Sequence, residues 1–197
     1  MPDPAFIIEG HMEQKILQNI CPGKVIQRIG ANGDHVSMKV MATHLAPQIR
    51  LFSNRYRPVI VLFDRERRDA SCEQLRRELS LELADLGIDQ EITIGIADRT
   101  IENWILADYE MLMDTYGFRP ENGNLEGTFG KSELKSRFAP DTTYRETTTG
   151  VKIFKECRPD RMYQQSLSFK YFIDSIDIEC WWRDQIIFDD RMEIIHR

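Results

Sequence analysis

The apolar positions of the chain recur with two alternating periods. Short apolar runs over 5–8, 24–29, 58–64 and 91–97 read as strands, and the run over 58–64, rich in Val, Ile and Phe, has the composition of a strand buried on both faces of a parallel sheet. Between them the spacing becomes helical. Ile16, Leu17 and Ile20 form one stripe that stops at Cys21-Pro22-Gly23, and Val36, Val40, Met41, His44 and Leu45 form a second. For the second helix, Asp34 is the predicted cap, His44 the predicted core histidine, and Pro47 the expected kink or break before Ile49 and Phe52. Ser71-Cys-Glu-Gln74 has the capping-box pattern, and Cys72, Leu75, Leu79, Leu83 and Leu86 continue from it to a stop at Gly87. Thr100 is the expected cap of a further helix, to Asp108, that turns Ile101, Trp104 and Ile105 to the core. Strands alternating with helices predict βαβ units with right-handed crossovers and a mostly parallel sheet.

The pattern changes after Tyr116. From Gly117 to Gly150 glycine, proline and asparagine mark loops around one short predicted helix, 134–138. Gly130-Lys131-Ser132 resembles the end of a phosphate-binding loop, but Leu125 stands where the first glycine would be and no strand precedes it. Val151, Phe154 and Cys157 then share one helical face; Phe169, Phe172, Ile173 and Ile176 share another, with Ser168 as its expected cap. The apolar stretch from Cys180-Trp-Trp182 through Ile186-Ile-Phe188 to Ile194-Ile195 is expected to pack on the domain rather than on a partner. The expected division is therefore an α/β unit over 1–116 and a loop-rich, helical C-terminal extension over 117–197 packed on it.

Composition narrows the function classes. The formal charge of −6 argues against a surface coated for sequence-independent nucleic-acid binding, although Arg65, Arg67, Arg68, Arg76 and Arg77 form either a local basic rim or a solvated helix face. Cys21, Cys72, Cys157 and Cys180 show no C-x-x-C pair, and the histidines lack ligand spacing, which disfavours structural zinc. No signal-like segment is evident and no run nears about 18 apolar residues. The expectation is a cytoplasmic protein with no membrane association and with reduced, mostly buried thiols.

The candidate chemistry lies where the apolar runs end in acid. Asp64 and Glu66 follow Pro58-Val-Ile-Val-Leu-Phe63, Glu9 follows Ile7-Ile8, and Glu102 follows the run ending at Ala97. In open α/β sheets ligands bind beyond the carboxyl ends of the strands, so these carboxylates are placed to share one site. Glu13 falls one helical turn after Glu9 and is either a member of that site or a first-turn glutamate favoured by the helix dipole; Glu102 carries the same alternative. Glu9, Asp64 and Glu66, joined by Glu102, are the expected metal ligands, with Glu13 assisting. The oxygen-only donor set suits Mg²⁺ or Mn²⁺, and there is charge enough for two ions.

The order Ile8-Glu9-Gly10-x-x-Glu13, Asp64-x-Glu66, Thr100-x-Glu102 resembles the Toprim domain of topoisomerases, primases and OLD-type nucleases. Glu66 replaces the usual second aspartate and Thr100 the usual serine. Over most of the chain Glu9-Gly-x-x-Glu13, Ile96-Ala-x-x-x-Ile-Glu-x-Trp-Ile-Leu-Ala-Asp108, Gly130-Lys131 and Tyr144-Arg-x-x-x-x-Gly150 are similar to a small bacterial Toprim-like family, domain of unknown function 4276. The resemblance implies a Toprim-like, Rossmann-like α/β fold and a metal-dependent nuclease acting on DNA or RNA. It further implies an anti-phage defence effector that works with an ATPase; homo-oligomerisation stays open. The rival expectation is a non-catalytic regulatory or binding subunit of an ATPase complex.

Overall fold

The computed structural model describes residues 3–30, 36–52, 54–119, 126–138, 143–178, 180 and 183–186. The expected cap Asp34 and the apolar stretches at Trp181-Trp182, Ile187-Phe188 and Ile194-Ile195 lie outside these residues.

The strands β1 (Ala5–Ile8), β2 (Val25–Arg28), β3 (Val59–Asp64) and β4 (Ile92–Ala97) form one sheet in the order β2-β1-β3-β4, every pair parallel. This is the α/β, Rossmann-like class expected, with a parallel sheet flanked by helices. Side chains alternate between the faces of a strand, so Ala5, Ile7, Val59, Val61 and Phe63 enter one core cluster while Phe6, Ile8, Ile60 and Leu62 enter another. Helices α2 (Met38–Phe52) and α3 (Cys72–Asp85) close the first cluster through Leu45, Ile49, Leu75 and Leu79. The second takes Ile16 and Leu17 of α1 (His11–Ile20) and Trp104 of α4 (Glu102–Leu106).

The second cluster also absorbs the C-terminal region. Helices α5 (Tyr109–Tyr116), α6 (Gly130–Arg137), α7 (Val151–Glu156), α8 (Pro159–Gln165) and α9 (Leu167–Asp174) contribute Leu112, Leu134, Phe154, Met162 and Phe172. Gly95 admits this docking, because a Cβ there would meet the Phe172 ring and the Leu62 side chain. Phe172 stacks on Trp104, whose indole N–H donates to Ser168 Oγ at 2.9 Å.

Several local expectations change. Helix α2 runs through Pro47 without a break, because one continuous face from Met38 to Phe52 is buried and outweighs the hydrogen bond that proline forfeits. His44 is on its exposed side rather than in the core. Thr100 is not a side-chain cap of α4, and the segment to Asp108 gives way to a second helix, α5. Ser166 caps α9 by accepting from Phe169 N, while Ser168 is occupied by Trp104. The expectation of reduced thiols fails for one pair: Cys21 and Cys180 are disulfide-bonded, with Cα atoms 5.2 Å apart across 159 residues of sequence. Only the folded chain brings them together, so their spacing carried no sign of it. The capping box at Ser71 and Gln74 is formed by both of its bonds, and Gly87 stops that segment at φ +72°.

Candidate active site at the carboxyl edge of the sheet

The strand order places its switch point where the carboxylates are. From β1 the chain moves outward to β2 through α1, then returns across β1 to β3 and proceeds the other way to β4. Strand order therefore reverses between β1 and β3. At such a switch point the connections leave opposite faces of the sheet, and ligands of α/β proteins commonly bind beyond the strands' carboxyl ends there. Glu9 leaves β1 there and Asp64 ends β3 there.

Adjacent loops are stitched together along this edge. Arg65 N donates to Ala97 O at 3.0 Å and Glu66 N to Arg99 O at 2.7 Å, continuing the β3–β4 ladder past the strands. Glu66 and Arg99 both take left-handed backbone, φ 53° and 66°, a conformation costly for residues with a Cβ and concentrated at functional sites. Arg99 binds the Glu66 and Arg68 carbonyls through Nη1 and the Gly127 carbonyl through Nε. Arg68 is buried, with Nη1 donating to the carbonyls of Asp64 and Arg65 and Nε to Val36 O.

All five sequence-predicted carboxylates come to this edge. Glu9, Glu13 and Glu102 are buried, and the Asp64 side chain has its Oδ1 shut off from solvent. Burial pushes Glu9 up to about 7; the Arg68 guanidinium opposes that rise, and the charges of Glu13 and Glu66 add to it. Glu13 is raised to about 7 by burial, its own backbone pulling it down and Glu102, Glu66 and Glu146 pushing it up. Burial lifts Asp64 well above the ordinary aspartate range, reinforced by Glu13, Glu102, Glu66 and Glu9. Glu102 is raised chiefly by burial, against hydrogen bonds from its backbone, Thr100 and Tyr144. Mutual repulsion of this kind requires the groups to occupy one neighbourhood.

Glu9 Oε2, Asp64 Oδ1 and Arg68 Nη2 are buried and have no hydrogen-bond partner among the described residues. A buried carboxylate oxygen left unbonded costs free energy unless a cation or a donor reaches it, so the two carboxylate oxygens, Glu9 Oε2 and Asp64 Oδ1, fit a hard divalent ion. Among the described residues no group of three His, Cys, Asp or Glu side chains stands in chelating geometry. Mg²⁺ is commonly held by only one or two carboxylates with waters and substrate oxygens, and like charges without an ion spread apart.

Several contributors were not identified as site residues from sequence. Tyr144, from the loop before a π-helical turn over Glu146–Gly150, donates its hydroxyl to Glu102 Oε1 at 3.0 Å. Glu146 adds negative charge beside Glu13 and Glu102 and pairs with Lys131 Nζ at 2.6 Å. Asn103 clamps the turn before α6 onto α4, accepting from Gly130 N and donating to Thr128 O. The arginines divide: Arg67 and Arg99 lie over the Phe129 ring at the edge, and Arg65 pairs with Asp98 at 2.7 Å. Arg76 instead lies on the Tyr171 ring and Arg77 pairs with Glu73.

Fold and site together define an α/β protein with a cluster of buried carboxylates at the switch point of a parallel sheet. Residues 8–177 match the model of the family described as Domain of unknown function (DUF4276), and the chain belongs to that family. No curated protein and no solved structure matches the chain. No helix among the described residues is long and apolar enough to cross a membrane.

Proposed function

We propose that this protein is a divalent-metal-dependent nuclease of Toprim type that cleaves phosphodiester bonds in DNA or RNA. The observation that carries the reading is the pair of buried oxygens without a hydrogen-bond partner among the described residues, Glu9 Oε2 and Asp64 Oδ1, at the switch point of the sheet. Glu9, Asp64, Glu66 and Glu102 would hold Mg²⁺ or Mn²⁺, with Glu13 assisting. Bound there, the metal supplies electrophilic stabilisation of the phosphoryl oxygens and a water of lowered pKa. Arg68 keeps the end of β3 in place through its carbonyl bonds, and Arg67, with Lys131 once it leaves its Glu146 partner, would present cationic groups to substrate phosphates. The resemblance to Toprim-type nucleases supports an anti-phage effector gated by an ATPase. That role places the protein in the cytoplasm, a compartment that reduces exposed disulfides; Cys21 and Cys180 are both buried, which shields their bond from thiol attack.

The test is cleavage of DNA and of RNA by the purified full chain with Mg²⁺ or Mn²⁺, alone and with a neighbouring ATPase. Glu9→Ala and Asp64→Ala are expected to abolish cleavage with the circular dichroism of the fold retained. Equal cutting by Glu9→Ala would remove the proposed mechanism. One observation favours the second reading, a non-catalytic regulatory subunit of an ATPase complex: the lack of a ready-made chelate among the described residues. Wild-type protein that cuts neither polymer in either setting would put that reading ahead.

A further inference from the structure

The Tyr144-Arg-x-x-x-x-Gly150 pattern lies far from the sheet in sequence, yet its first residue reaches the carboxylates. The Tyr144 side chain is buried, its ring stacked on Phe138 with centroids 6.3 Å apart and planes 21° apart. Its hydroxyl donates to Glu102 Oε1 at 3.0 Å and lies 3.7 Å from the Met12 sulfur. Gly150 closes this arrangement from behind. A Cβ on Gly150 would stand 2.6 Å from the tyrosine oxygen and 2.9 Å from the Met12 methyl, so the flexible Met12 side chain would have to move and the phenol oxygen would be displaced from its place. Gly150 has ordinary right-handed helical backbone, φ −60°, so its lack of a side chain answers to space and not to conformation.

Glu102 could turn about its side-chain torsions, and an ion needs one of those orientations. A phenol from another segment, itself locked by a stacked ring and a glycine, removes that freedom at one oxygen. We propose that Tyr144 is a positioning residue that orients the Glu102 carboxylate for metal binding, and that Gly150 is glycine in order to admit the phenol oxygen. This rests on the metal-site reading above. It assigns a task in the site to the C-terminal region, which supplies no predicted ligand.

The experiment uses the full chain and MnCl₂ or MgCl₂ as the probe, with binding read by isothermal titration calorimetry and by the thermal shift, and folding checked by circular dichroism in chelator. Outer partners of metal ligands commonly contribute 10–100-fold in affinity, and Tyr144→Phe, which removes only the hydroxyl, is expected to weaken Mn²⁺ binding by about that factor. Gly150→Ala is expected to weaken it in the same direction. In a Glu102→Gln background Tyr144→Phe should produce no further loss, an outcome that a general packing role would not give. Wild-type binding left unchanged by Tyr144→Phe would overturn the positioning role while leaving the metal site standing. Wild-type protein that binds neither ion would overturn both readings together.

Discussion

Replacing Glu9 by glutamine tests the buried carboxylate directly, without recourse to activity. Glu9 is 7% exposed and its pKa rises from 4.5 to about 7, mainly through burial. Below the unfolded value both states carry the proton, and the stability associated with this group is fully present. As pH rises from about 4.5 the unfolded chain releases the proton while the folded protein retains it, so stability falls. The loss is complete once pH has passed the folded value near 7. Such a shift corresponds to about 3 kcal/mol at 1.36 kcal/mol per pKa unit, with little screening to discount because the group is buried. Glutamine cannot ionise. Urea unfolding of the wild type in chelator should therefore show a decline between pH 4.5 and 8 that is about 3 kcal/mol steeper than in Glu9→Gln. The variant keeps a residual slope from Glu13, raised to about 7, and from Asp64 and Glu102, which burial also raises. Mg²⁺ or Mn²⁺ at pH 8 should restore stability to the wild type by binding only the folded state, and restore less to the variant. Parallel pH profiles for the two proteins in chelator would refute the placement of Glu9 as a buried, repelled carboxylate.

Two further expectations concern the supports of the site. Gly130→Ala would set a Cβ 2.7 Å from Asn103 N and 2.8 Å from the Glu102 carbonyl carbon, both backbone atoms that cannot swing aside; a loss of about 1–3 kcal/mol in urea unfolding is expected, and an unchanged midpoint would show that the turn before α6 is not held this closely. Ser168→Ala leaves the buried Trp104 N–H without its acceptor and should cost about 1–3 kcal/mol, whereas Ser168→Thr, which keeps the hydroxyl, should recover part of that if the bond and not the volume matters.

Where local pattern decides the outcome, the chain was legible. Short apolar runs bounded by turns identified β1, β2, β3 and β4, and the Ser71–Gln74 capping box identified the start of α3, because backbone bonding and burial there depend on neighbouring residues. Glu9 and Asp64 could be singled out because an acid at the end of a buried strand sits at a defined edge of the sheet, and Glu102 because it opens the helix that follows β4. Tyr144 could not, since nothing within the chain near Tyr144 states that its hydroxyl meets a carboxylate 42 positions earlier. Pro47 misled for a related reason: its local cost is real, but the burial that overrides it comes from a sheet assembled elsewhere. The arginines show the limit most clearly. Arg67 and Arg76 are alike in sequence terms, and only packing sends one to Phe129 at the site and the other to Tyr171.

The bond between Cys21 and Cys180 also changes what kind of object the chain is. With that bond intact, residues 21–180 form a covalent ring that contains β2, β3, β4 and the helices between them. Glu9 and Glu13 stand on the short arm outside the ring, while Asp64, Glu66, Glu102 and Tyr144 are within it. A single backbone cut inside the ring opens it without dividing the molecule, so both halves of the carboxylate cluster remain one covalent body, and only the addition of a reductant turns that nick into two chains.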